Sequence, residues 1–163
     1  MSEDKERAKD QAKAQLESAV VMVKRLKHCQ DCNGEDCELP DAEILAGITI
    51  SSEDGMRADE QDREEYHDEG TVCQLIQDDP LSVEVRSDWH TPGEANPPSE
   101  YFILLCSGGP AVRIIGELSE HQEPDTARLE YQDWFTPWVR YTNTSPEEDE
   151  ALLTYARQFY FGA

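Results

Sequence analysis

Tyr101–Cys106 is an unbroken apolar run, and Ser107-Gly108-Gly109-Pro110 follows it directly. A second apolar segment, Ala111–Leu118, comes next. In a chain this polar, no other feature constrains the fold as strongly. A run of strand length, ended by turn residues and followed by another, reads as a β-hairpin with a central first strand. Neighbouring segments extend it. Leu81, Val83 and Val85 alternate with Ser82, Glu84 and Arg86, the two-residue period of a half-buried strand. From Ala127 to Trp134, Leu129 and Tyr131 fall on one side and Arg128, Glu130 and Gln132 on the other. Thr136-Pro137 breaks that strand, and Trp138–Tyr141 suits a short further one.

Helices are expected on either side. Over residues 3–28, Leu16, Ala19, Val20, Val23 and Leu26 recur at spacings of three and four, forming one apolar stripe. Residues 28–40 read as a short knot of Cys, Asn, Gly and acids, and Pro40-Asp41 as the start of a short helix. Residues 57–78 read as a second long helix, weak at Gly70 and stopped by Asp79-Pro80. Ser145-Pro146-Glu147-Glu148 is a helix start with a capping serine, proline in the first turn and acids at the positive end of the dipole. Leu152, Leu153, Ala156 and Phe159 carry its apolar face as far as Gly162. The order predicts one α+β domain over residues 1–163, with an antiparallel sheet of about four strands covered by the N- and C-terminal helices. Within it, 1–28 is a helix free to protrude, 29–56 a cysteine-containing connector and 57–163 the core.

Charge narrows the function. The net charge is −22, and its distribution is uneven. Residues 1–28 hold seven bases and five acids, whereas residues 29–163 hold seven bases and 31 acids. Such a body repels DNA, RNA and anionic lipid and speeds encounter with basic surfaces. The bland counterpart is that the charge serves solubility. No apolar run approaches the ~18 residues of a membrane span. Met1–Asp10 is charged and does not read as a signal peptide, so the expected compartment is the cytoplasm. Five cysteines, an odd number, are expected to be reduced there.

Four constellations could carry chemistry. Cys29, Cys32 and Cys37 form a CxxC pair with a third thiol, half of a zinc site, with His28, His67, Cys73 or His121 as a fourth ligand brought in by the fold. Zinc is the cofactor candidate; a cluster of unligated thiols is the plainer reading. Asp59, Glu60, Asp62, Glu64, Glu65, Asp68 and Glu69 place seven carboxylates in eleven residues. On a helix that is roughly one charge per 2.4 Å, against one per ~1.7 Å of duplex DNA, so the helix could imitate a phosphate ladder. A charge run is also an ordinary solvated face. His90 with Glu84, Arg86 and Asp88, or Glu130 and Asp133 with Arg128, could serve acid–base chemistry. Among 36 acids, however, chance pairs are expected, and no nucleotide, hydrolase or metalloprotease motif is present, so no catalytic residue is assigned. The dense aromatic set Tyr131–Trp138 fits core beneath the last helix better than it fits a recognition patch.

The stretches Asp79–Ser87 (DPLSVEVRS), Tyr101–Arg113 (YFILLCSGGPAVR) and Leu129–Trp134 (LEYQDW) resemble a family of small acidic phage and prophage proteins, over roughly residues 60–163. No catalytic residues are assigned in that family, so the resemblance implies none here. It implies a place in the cytoplasm of an infected bacterium. By charge and context it is similar to anti-CRISPR and anti-restriction inhibitors, which occupy the nucleic-acid groove of a defence complex. The expectation is an acidic nucleic-acid mimic whose partner is the basic surface of a host nucleic-acid-binding protein, with no direct nucleic acid and no membrane. Alternatives are a metal-binding accessory enzyme, or an acidic assembly protein whose basic Lys24, Arg25 and Lys27 pair with the acidic body of a second copy.

Overall fold

The computed structural model describes residues 2–32, 67–134 and 136–162. A long helix α1 (Ser2–Asp31) is followed by α2 (Glu69–Asp78), then strands β1 (Ser82–Arg86), β2 (Glu100–Cys106), β3 (Ala111–Glu117), β4 (Arg128–Gln132) and β5 (Val139–Arg140), and last α3 (Pro146–Ala156). The strands form one five-stranded sheet in the order β1-β2-β3-β4-β5, with every neighbouring pair antiparallel. The expected α+β meander is therefore present, with Val139–Arg140 as its short last strand.

The β2–β3 hairpin is its centre. Ile103 faces Ile114 and Tyr101 faces Gly116 across the pair. Gly108 takes a φ of +98° in the connecting turn, a backbone conformation that glycine alone adopts without strain. Gly116 is needed for a different reason. A Cβ there would stand 2.0 Å from the carbonyl oxygen of Thr126. That closeness lets the buried Tyr101 hydroxyl donate to the same oxygen at 2.6 Å.

One face of the sheet is covered by helices. Tyr101, Ile103 and Leu105 of β2, Val112 and Ile114 of β3 and Leu129 of β4 form a common core with Leu16, Ala19, Val23 and Leu26 of α1 and Leu152, Tyr155 and Ala156 of α3. Burial in α1 begins at Ala8, so the helix lies along the molecule instead of projecting from it. Its stripe of alanines and branched residues fits a helix packed against both a sheet and another helix. Val72 and Ile76 of α2 complete the same core. Among the described residues, no helix covers the other face. It carries Phe102, Arg113, Ile115 and Glu130, all in positions alternating with the buried set.

Several boundaries differ from expectation, each for a local reason. The N-terminal helix continues through His28, Cys29, Gln30 and Asp31, which the sequence had placed in a turn-rich knot. Cys29 is buried in the core, and that contact carries the helix a turn further. The helix expected over 57–78 begins only at Glu69. Asp68 is its N-cap, extended at φ −100° and ψ 105°, and its side chain accepts from the Gly70 amide at 3.3 Å. The short helix expected after Pro40 lies outside the described residues. The last helix starts as expected. Ser145 Oγ accepts from the Glu148 amide, and Glu148 Oε1 accepts from the Ser145 amide. It ends at Ala156, and Phe161 folds back to lie 4.9 Å from the Tyr101 ring. The aromatic set divides: Tyr131 packs against the core, Phe135 lies outside the described residues, and the two tryptophans lie elsewhere. Trp134 is 60% exposed, and the Arg113 guanidinium stacks on Trp138 at 4.1 Å.

Candidate functional site

The C-terminal end of α1 and the turn before α2 meet at a cluster of metal-ligand side chains. The Cys32 amide donates to the His28 carbonyl at 2.8 Å, which extends the helical hydrogen-bonding by one residue. His28 and Cys32, four apart, therefore share one face. His67 precedes the Asp68 cap and faces them: its Nε2 lies 3.2 Å from Nε2 of His28 and 3.6 Å from Sγ of Cys32. Gln30 Nε2 donates to Glu69 Oε1 at 3.0 Å, a second tie between the same two chain ends. The three donor atoms lie within 4.8 Å of one another, and all three residues are half-buried.

The expected thiol set divides. Cys32 is in the cluster. Cys29 is not, because position 29 turns toward the core, where burial pushes its thiol up to about 11. A thiol so desolvated is a poor thiolate donor. Cys37 lies outside the described residues. Of the proposed supplementary ligands, the fold brings in His28 and His67. Cys73 instead donates to Gln158 Oε1 at 3.4 Å, and burial followed by the charge of Glu69 raises its thiol. His121 sits in the turn after β3. Of the CxxC pair, Cys32 joins the cluster while Cys29 turns to the core, and His28, four positions before Cys32, takes the neighbouring place on the same helix face.

Of the seven clustered carboxylates, Asp59, Glu60, Asp62, Glu64 and Glu65 lie outside the described residues. Asp68 and Glu69 have local structural work, as the α2 cap and the Gln30 acceptor. They are not part of one helix running from 57 to 78. Elsewhere the acids are numerous. Residues 67–162 contain 18 carboxylates and five arginines. Three of those arginines are committed: Arg86 Nε to Glu100 at 2.7 Å, Arg113 Nη2 to Glu130 at 2.7 Å and Arg128 Nε to Glu130 at 3.1 Å. Arg157 donates to the Pro124 carbonyl. Lys27, expected to serve a second copy, lies 3.8 Å from Glu150 of its own chain.

Of the acid–base candidates, Arg86, Asp88 and His90 line one open cleft, but His90 meets Asp88 at its backbone carbonyl and not at its carboxylate. Glu130 accepts from two arginines on the sheet face away from the helices, a charge-neutralised structural role. His90 is in an exposed loop, its Nδ1 2.7 Å from Nδ2 of Asn96. Glu84 and Arg86 stand on the edge strand β1, where Arg86 is held by Glu100. Comparison with protein-family profiles, with curated proteins and with solved structures returns no match. Among the described residues no helix is long and apolar enough to cross a membrane.

Proposed function

We propose that the protein is an acidic inhibitor that occupies a basic nucleic-acid-binding groove of another protein. The observation that carries this reading is the surplus of carboxylates over cations across residues 67–162, where four of the five arginines already bond to acceptors of their own chain. Unneutralised carboxylates repel one another and oppose compaction, and they draw a basic surface at long range. Asp59, Glu60, Asp62, Glu64 and Glu65 are the densest such group and the contact residues of this reading. Asp68 and Glu69 are left to hold α2. The resemblance to phage proteins selects the first targets, restriction enzymes and CRISPR effector complexes, in the cytoplasm of an infected bacterium.

The test is displacement of labelled DNA or RNA from a panel of such purified complexes. The expected result is competition that weakens steeply as salt rises, because ion pairs at a phosphate-binding groove are screened and counterions are released. Converting the five clustered acids to amides should weaken displacement about tenfold or more with melting unchanged. No displacement across the panel at low salt, or displacement indifferent to salt and to the amides, would remove the proposal.

A further inference from the structure

The three donors between α1 and α2 are arranged as a metal site, and the acidic-surface reading makes no use of them. We propose that His28, Cys32 and His67 bind a zinc ion through Nε2 of each imidazole and the Cys32 thiolate. Zinc takes nitrogen at about 2.0–2.1 Å and thiolate at about 2.3 Å in tetrahedral geometry. Two ligand nitrogens around one ion are then about 3.3 Å apart, and a nitrogen and a sulfur about 3.6 Å apart. The distances here are 3.2 Å and 3.6 Å.

Hydrogen bonding accounts less well for the same geometry. The Nε2 of His67 is within reach of both the His28 nitrogen and the Cys32 sulfur. A single imidazole nitrogen carries either one proton or one lone pair, so it serves one of these neighbours well and not both. An ion at the common point engages all three donors at once. Imidazole with thiolate is the donor chemistry zinc favours, and a carboxylate-rich body raises the local concentration of a divalent cation. A four-coordinate ion takes one ligand beyond these three.

The site has a consequence for the chain. Cys32 and His67 flank residues 33–66, the segment that holds Asp59, Glu60, Asp62, Glu64 and Glu65. Zinc would join the two ends of that segment and fix the end of α1 to the start of α2. Metal binding and folding of this corner are then one equilibrium.

The whole chain, purified under reducing conditions from zinc-supplemented culture, decides the matter. Elemental analysis should find about one zinc per chain. Cobalt(II) added to metal-free protein should give a thiolate-to-cobalt charge-transfer band and tetrahedral ligand-field bands, both abolished by added zinc. Cys32→Ser should remove the charge-transfer band. His28→Ala and His67→Ala should each weaken cobalt binding about 100-fold or more, since even supporting groups around metals are worth 10–100-fold. Cys73→Ser and Cys106→Ser should change nothing. If a ligand variant fails to fold, the unaltered chain still answers, because its melting temperature must rise with zinc. Substoichiometric metal, copper in place of zinc, a charge-transfer band that survives Cys32→Ser, or melting indifferent to zinc would overturn the assignment. Metal content and cobalt spectra are read without nucleic acid, and displacement is read without reference to metal, so the two proposals fail separately.

Discussion

Charge is handled in two ways in this molecule, on the sheet face away from the helices and at the margins. On the sheet, Glu130 is buried and holds Arg113 and Arg128, while Arg113 is sandwiched between the rings of Phe102 at 5.4 Å and Trp138 at 4.1 Å. These three side chains are matched to one another, and the pairing joins β2, β3 and β4. At the margins, at the end of β3 and in the turn after it (Glu117, Glu120, Glu123 and Asp125) and in the first turn of α3, carboxylates gather with few cations among them. Some have local roles: Glu148 completes a capping box and Asp149 accepts from Thr144 at 2.7 Å. The contrast teaches that the fold uses a small, matched subset of its acids. The remainder is surplus to folding, and that surplus is what the proposed function employs.

Substitutions can sharpen or break this contrast. Glu130→Ala should cost the most, about 2–3 kcal/mol in urea unfolding, because two arginines lose their acceptor where one of them is largely buried. Replacing Arg113 and Glu130 together with apolar residues should recover much of that loss, since the pair's desolvation disappears with it. Ser145→Ala should cost about 1 kcal/mol by opening the cap of α3. Glu120→Gln, Glu123→Gln and Glu147→Gln should shift stability by no more than about 0.5 kcal/mol, or raise it slightly by easing repulsion. A loss comparable to that of Glu130→Ala at any of these margins would break the comparison.

Alkaline pH probes the covered face. Burial, followed by its hydrogen bond to the Asp79 carboxylate at 2.6 Å and that carboxylate's charge, holds the Tyr155 phenol well above the ordinary tyrosine value. Burial likewise raises Tyr101. Above about pH 10 the unfolded chain releases these protons while the folded chain keeps them, so stability falls as pH rises. Melting between pH 8 and 11 should show that decline, and Tyr155→Phe should make it shallower. An unchanged slope would mean that Tyr155 is not the group responsible.

The sheet was largely legible in the sequence because its signals are local. The apolar run, the Gly-Gly turn and the alternation at Leu81–Arg86 and Leu129–Gln132 depend on neighbours two residues apart. The Ser145 cap was legible for the same reason. What escaped depends on distant contacts. Cys29 belongs to α1 because the core beneath it comes from other elements. Asp68 is the start of α2 because its side chain accepts from the Gly70 amide and caps the helix there. The pairing of His28 with His67 spans 39 positions, and spacing alone suggested Cys29 in its place. Trp138 read as core because aromatic density does not reveal which sheet face a residue occupies.

The central claim is that the surplus carboxylates serve a partner and not the fold, and salt-dependent displacement with the Asp59, Glu60, Asp62, Glu64 and Glu65 amide variant tests it most directly. Displacement of nucleic acid by the unaltered chain, lost in the variant at low salt while both proteins melt together, is the result the account predicts. Equal displacement by the two proteins, or a variant that loses displacement only because it no longer folds, would contradict it.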